Sequence, residues 1–129
     1  MAFTTVKATI IIVAVISIGF VLYYLYRYAM DSPYRIDAQE AKRQINNKQV
    51  DLILDVRTDL ELQTLGFYPG SVHIQSADLE KEMPQRYPDK NIRIIAYCNS
   101  GQRARAAAEK LHKMGYNAKY IASTYLSLY

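Results

Sequence analysis

The sequence predicts an α/β fold, a mostly parallel sheet flanked by helices on both faces and preceded by one transmembrane helix. Short apolar runs typical of buried strands alternate along the chain with segments of helical period. Successive strands joined by right-handed helical crossovers lie parallel in one sheet. A long uncharged apolar segment precedes this alternation, and the single cysteine, Cys98, lies where a strand ends and a helix begins.

The bulk composition limits the class of protein. Of the 129 residues, about 95 remain beyond the apolar segment, enough for one modest core. A single cysteine excludes an internal disulfide, a CxxC redox pair and a cysteine zinc cluster. The two histidines, His73 and His112, lie far apart in the sequence without metal-ligand spacing, so we expect no metal site. The net charge of +4 is dispersed, without the basic stripe of a nucleic-acid-binding protein.

Residues 8–28 are predicted to form a transmembrane helix after a short N-terminal segment, residues 1–7. No charge lies between Lys7 and Arg27, and such a helix extends roughly 28 Å, close to a hydrocarbon core of about 30 Å. Four tyrosines at its C-terminal end suit an aromatic belt. The alternative is a cleaved signal peptide, but the apolar stretch is long and no small-residue cleavage site precedes Asp31.

Charges on the two sides of this segment predict its orientation. Positive residues are more numerous on the C-terminal side than on the N-terminal side, which favours a single-pass protein with a cytoplasmic domain. A reactive free thiol also fits a reducing compartment. Residues 29–36, AMDSPYRI, are expected to form a short linker broken at Ser-Pro.

Residues 37–129 are predicted to form one domain. The expected elements, in order, are a helix over 37–46, a strand over 50–56, a helical turn over 58–65, a turn over 66–70, a strand over 72–74, a helix over 76–87, a strand over 92–97, a helix over 102–114 and a strand over 118–122. Asp37 and Glu40 resemble a capping box at the first helix. Pro84 is expected to kink or end the helix that contains it.

Two charged residues end the first predicted strand. Asp55 and Arg57 are expected to form a structural ion pair or a loop cap near the site, rather than to act in catalysis. His73, in the next strand, is expected to be a packed or hydrogen-bonded residue rather than a catalyst.

Cys98 is the strongest candidate for a reactive residue. It precedes a helix N-terminus, whose unpaired N–H groups and partial positive charge favour a thiolate and bind anions. Gly101 permits a positive φ, so that several amides can converge, while Arg103 and Arg105 add positive charge. A buried structural cysteine and a solvated helix face for the arginines are the alternatives. The position of Cys98 at a strand end, before this loop, favours the functional interpretation.

Three segments resemble those of one known family. Residues 98–104, CNSGQRA, look like the C-x-x-G-x-R-[AS] active-site loop of the rhodanese, or sulfurtransferase, domain. Residues 52–57, LILDVR, resemble the first-strand D-V-R of that family, and residues 66–74, GFYPGSVHI, resemble its G-H-I-P-G-A segment. The resemblance covers roughly residues 34–123. Phe67 replaces the usual histidine, and residues 122–125, ASTY, replace the usual Gly-Gly before an aromatic residue.

The resemblance implies a sulfurtransferase that needs no cofactor. Cys98 would take a sulfane sulfur from a small anionic donor such as thiosulfate and pass it, as a persulfide, to a thiol or cyanide acceptor. Arg103 would orient the donor's anionic oxygens, and Arg105 would face the pocket mouth. The residues expected to bind the substrate or the persulfide are Asn99, Ser100, Gly101, Gln102, Arg103 and Arg105.

Two other functions are compatible with a cysteine in such a loop. Cysteine phosphatases also close a thiolate loop with an arginine, but theirs reads C-x5-R, whereas Cys98 to Arg103 is C-x4-R, a smaller cradle. A membrane-tethered binding or redox-sensing module is the other alternative, which the departure at residues 122–125 keeps open. The cysteine, glycine and arginine present in the loop favour the enzyme.

Overall fold

The structure is a computed structural model that describes residues 2–129. Its α-helices are α1 Ala2–Met30, α2 Ala38–Asn46, α3 Asp59–Leu65, α4 Leu79–Arg86 and α5 Gln102–Lys113. Its strands are β1 Leu52–Asp55, β2 Val72–His73, β3 Arg93–Tyr97 and β4 Asn117–Tyr120. Two 3₁₀-helices, Ser76–Asp78 and Tyr125–Leu128, precede α4 and follow β4.

The four strands form one parallel sheet in the order β2-β1-β3-β4. This arrangement confirms the predicted α/β class. Asp55 at the end of β1 is aligned with His73 of β2 and with Tyr97 of β3. The carboxyl ends of the two central strands therefore meet at one edge, which is where ligands bind in open α/β sheets.

Side chains alternate between two cores, one on each face of the sheet. Leu54 and Ala96 point toward α4 and α5, whose apolar stripes include Met83 and Leu111. Neighbouring residues such as Ile95 point to the opposite face, which α2 and the 3₁₀-helix Tyr125–Leu128 cover. Period-2 alternation along each strand thus supplies both faces with apolar groups.

The N-termini of the helices can be compared with the capping signals in the sequence. The expected capping box at α2 is only half formed: Asp37 accepts the N–H of Gln39 at 3.0 Å, but Glu40 bonds to Arg43 and Gln44 instead of returning to the cap. A complete box occurs at α3. The segment predicted as one helix over 76–87 begins as a 3₁₀-helix and becomes α-helical at Leu79.

Helix α1 continues directly into the domain. It is 29 residues long and apolar enough to cross a membrane. Its C-terminal end is attached to the domain, because Ala29 is 2% exposed and its carbonyl oxygen accepts a hydrogen bond from the Tyr120 hydroxyl. The backbone of Arg35 then forms an isolated parallel β-bridge with Tyr120, and Ile36 joins the core on the α2 side of the sheet. Residues 29–36 therefore contact the domain on both sides of Pro33, at Ala29 and Ile36, while Asp31, Pro33 and Arg35 are exposed.

Candidate active site

Cys98 lies immediately after β3, in the turn that leads to α5. Its side chain is 1% exposed, and its Sγ accepts the backbone N–H of Gly101 at 3.0 Å. One backbone amide of the loop therefore points at the sulfur. This arrangement stabilises negative charge on Sγ, since an amide dipole points at it.

Gly101 is required by the shape of the loop. Its φ is +106°, a backbone conformation that side-chain-bearing residues rarely adopt. A Cβ at this position would lie 2.8 Å from Ala122 Cα and 3.2 Å from Ala29 Cβ. The loop is thus pressed between the segment after β4 and the last turn of α1.

Asp55 and Arg57 form a buried ion pair beneath the loop. Their side chains are 0% and 1% exposed, and Arg57 Nη2 lies 2.7 Å from Asp55 Oδ2. The guanidinium also donates to the Gly66 carbonyl at 2.6 Å and to Asn99 Oδ1 at 3.4 Å. These contacts join the end of β1 to the Cys98 loop. His73 is also a structural residue, with Nε2 2.6 Å from the Arg57 carbonyl oxygen.

Arg103 faces a carboxylate that the sequence analysis did not assign to the site. Its two terminal nitrogens donate to Glu61 at 2.7 and 2.8 Å. Asn99 Nδ2 also donates to Glu61, at 3.0 Å. The hydrogen bonds with Arg103, more than any other contact, lower the pKa of Glu61 from 4.5 to about 2, and they raise the pKa of Arg103.

Glu61 is held in place by the start of α3. Its Oε2 accepts the backbone N–H of Thr58 at 2.8 Å, and its own N–H donates to Thr58 Oγ1 at 3.3 Å. This is a capping box with Thr58 at N-cap and Glu61 at N3. The T-x-x-E spacing is the sequence signal from which Glu61 could have been found. It indicates a carboxylate held by a capping box, but it does not indicate that Arg103 lies opposite.

The other predicted loop residues are divided between two environments. Ser100 Oγ donates to Gln102 Oε1, and Gln102 Nε2 is 3.5 Å from the Leu25 carbonyl oxygen of α1. Arg105 does not join the sulfur loop. Its guanidinium donates to the Tyr28 carbonyl and to Glu109, and it stacks over the Tyr28 ring at 3.9 Å. The sequence analysis expected Arg105 at the mouth of the pocket. In the structure its guanidinium attaches α1 to α5 instead.

A cavity of about 730 Å³ lies between the end of α1 and the Cys98 loop. Its wall on the α1 side is apolar, while the loop contributes amide and hydroxyl groups. The lining residues are Leu22, Leu25, Tyr26, Ala29 and Met30 of α1, Asn99, Ser100 and Gln102 of the loop, and Ala122, Ser123 and Thr124 after β4. Among residues 2–129, no group of three or more His, Cys, Asp or Glu could hold a metal ion.

The fold and the loop together define a class of protein: a parallel α/β domain that holds one cysteine in an amide-lined turn at the carboxyl end of a central strand. Residues 37–125 match the rhodanese-like domain. The chain belongs to this family, which confirms the resemblance drawn from its three segments.

Known relatives agree with this assignment. The mouse thiosulfate sulfurtransferase/rhodanese-like domain-containing protein 3 is 26% identical over 98 residues, covering 67% of this chain and 62% of the relative. The chain thus spans less than two thirds of that protein. A human single-domain sulfurtransferase has 20% identity and a TM-score of 0.63, covering 74% of this chain and 95% of the human one. A Rhodopseudomonas palustris protein of unknown function, described as a possible tyrosine phosphatase, has 22% identity and a TM-score of 0.66, covering 78% and 83%. These likenesses of 20% and 22% identity show a shared fold.

Proposed function

We propose that this chain is a membrane-anchored sulfurtransferase that carries a sulfane sulfur as a persulfide on Cys98. The observation that supports this most directly is the contact between Cys98 Sγ and the Gly101 amide, within a loop that matches the family motif. The contact stabilises a sulfur anion at a strand end where an open α/β sheet presents its ligand site.

The reaction has two half-steps. In the first, the Cys98 thiolate attacks the outer sulfur of thiosulfate, the S–S bond of the donor breaks, and sulfite leaves with the bonding electrons. The product is a Cys98 persulfide anion, which the loop amide stabilises. In the second, a thiolate acceptor attacks the outer sulfur of the protonated persulfide. The bond from Sγ to that sulfur breaks, and Cys98 is regenerated as a thiolate.

The residues around Cys98 have distinct roles in this proposal. Arg103 attracts the anionic donor, and Glu61 moderates this attraction because it shares the same guanidinium. Asn99 links the Arg57 side chain to Glu61 and so keeps the loop at a fixed distance from β1. The chain needs no metal or organic cofactor for either half-step.

The anchor is α1, and we propose that the domain faces the cytoplasm. The basic residues Arg27 and Arg35 lie on the domain side of the apolar segment, which favours retention of that side in the cytoplasm. Helix α1 has no buried residue in its most apolar window, which suits a lipid-facing helix.

The test is the intact mass of the full chain in detergent after exposure to thiosulfate. We expect a gain of one sulfur atom, roughly 32 Da, that a thiol removes and that the Cys98→Ser variant lacks. Cys98→Ser is nearly isosteric, so its thermal unfolding should match the parent protein and control for loss of fold. Absence of the adduct, or the same adduct on Cys98→Ser, would overturn the proposal. Turnover of an aryl phosphate without an adduct would favour the phosphatase, and neither reaction would favour a binding or redox-sensing module.

A further inference from the structure

The end of α1 forms part of the site as well as the anchor. Gln102, at the start of α5, reaches the Leu25 carbonyl, and Ala29 packs against the Cβ position of Gly101. The loop that holds Cys98 is therefore bordered on one side by a helix that is otherwise exposed and apolar.

The cavity between these two elements has two chemically different walls. Leu22, Leu25 and Tyr26 form the wall on the α1 side, and the polar wall is formed by Asn99 and Ser100 of the Cys98 loop together with Ser123 and Thr124 after β4. Its volume of about 730 Å³ lies within the range of sites that bind small molecules. A ligand that matches both walls is amphiphilic, with an uncharged polar head at the loop and an apolar chain along α1.

The position of the cavity along α1 relates it to the bilayer. Arg27 is the first charged residue after Lys7, so Leu22 and Leu25 lie on the membrane side of that charge. Tyr26 and Tyr28 occupy the level at which tyrosines concentrate in membrane proteins, the boundary between hydrocarbon and head groups. The apolar wall therefore continues into the hydrocarbon, whereas the loop wall lies at the head-group level.

We infer that this cavity binds the sulfur acceptor, and that the acceptor is an uncharged thiol bearing an alkyl or acyl chain, taken from the membrane interface. This inference rests on the proposed function, since it assigns the second half-step. The thiolate of the amphiphile attacks the outer sulfur of the Cys98 persulfide, the bond to Sγ breaks, and the amphiphile leaves as a persulfide. No oxidant or reductant is consumed. The cavity suits an uncharged ligand, because none of the residues that line it carries a charge.

The test compares N-acetylcysteamine with N-octanoylcysteamine, which share an uncharged amide and thiol and differ by six methylene groups. The full chain in lipid nanodiscs is loaded with sulfur from thiosulfate, and the rate of sulfur transfer to each thiol is measured. Burial of one methylene favours binding by about fourfold. We therefore expect the octanoyl thiol to be preferred by more than about tenfold, the effect of two buried methylenes.

Two substitutions separate binding in the cavity from partition into the bilayer. Leu22→Trp fills the cavity and should reduce the octanoyl-to-acetyl rate ratio by about tenfold or more. Val21→Trp places the same side chain at the same depth but outside this cavity, and should keep the parent ratio. Leu22→Ala lengthens the cavity and should shift the preference from octanoyl toward decanoylcysteamine.

The outcomes distinguish this inference from the function on which it rests. Equal ratios in the parent protein, Leu22→Trp and Val21→Trp would mean that partition alone favours the long chain, and would overturn the inference while leaving sulfur transfer intact. Equal rates with both thiols would do the same. Failure to load sulfur from thiosulfate, before any acceptor is added, would overturn the proposed function itself.

Discussion

The substitution Glu61→Gln tests whether Glu61 competes with an anionic sulfur donor for Arg103. It removes the carboxylate that faces Arg103 and leaves a side chain of the same shape. Glutamine also serves at the N3 position of a capping box, so α3 should keep its start at Thr58. Arg103 is then free to bind the oxygens of thiosulfate.

The size of the effect follows from the ion pair. The pKa of Glu61 falls from 4.5 to about 2, which corresponds to about 3 kcal/mol at roughly 1.4 kcal/mol per unit. Glu61 is 25% exposed and Arg103 is 38% exposed, so solvent screening reduces the usable part to about 1–1.5 kcal/mol. We therefore expect the KM for thiosulfate to fall about five- to tenfold in Glu61→Gln.

The assay is steady-state sulfur transfer from thiosulfate to cyanide, repeated with an uncharged organic trisulfide as the donor. The KM for the uncharged donor should not change, since it gains no ionic contact. Thermal unfolding of the variant checks that α3 is intact. An unchanged or higher KM for thiosulfate, with α3 intact, would refute the view that Glu61 competes with the donor for Arg103.

The remaining predictions concern stability and the loop. Gly101→Ala should destabilise the fold by about 2–4 kcal/mol and abolish sulfur loading, because the new Cβ combines a positive φ with contact at 2.8 Å to Ala122; chemical denaturation and intact mass measure the two effects. Asp55→Asn should cost about 3–5 kcal/mol, since it leaves the Arg57 guanidinium buried without its counter-charge; an equally stable variant in urea would contradict this. The lowered pKa of Glu61 contributes stability that is complete above pH 4.5 and is lost as the pH falls toward about 2. The parent protein should therefore lose more stability than Glu61→Gln between pH 5 and about 3, and parallel losses would contradict the assigned cause.

The parts of the site that the sequence predicts are those with local signals. An apolar strand, a glycine where φ must be positive and a helix with its own period all lie within the segment around Cys98, so the loop could be located without a structure. The pairing of Asp55 with Arg57 is also local, since the two residues flank one strand end.

The remaining contacts depend on folding. Glu61 and Arg103 are 42 positions apart, and no periodic pattern connects two charges across α3 and α5. Arg105 carries the charge expected at a pocket mouth, but the end of α1 offers it a carbonyl and an aromatic ring at Tyr28. Residues 29–36 have the composition of a linker, yet Tyr120 binds the chain at Ala29. For Arg105 and Ala29, tertiary partners determine the contacts that composition alone does not predict.

The attachment of α1 to the domain would have a mechanical effect in a membrane. The 29-residue helix contains an apolar segment roughly 28 Å long, which matches a hydrocarbon core of about 30 Å and tilts where the bilayer is thinner. Because Tyr28 and Ala29 are fastened to α5 and β4, the domain turns with the helix instead of swinging from a hinge. With α1 across a bilayer, membrane thickness would set the angle at which the Cys98 loop meets the head groups. Lipid composition would therefore change the orientation of the site relative to the membrane surface.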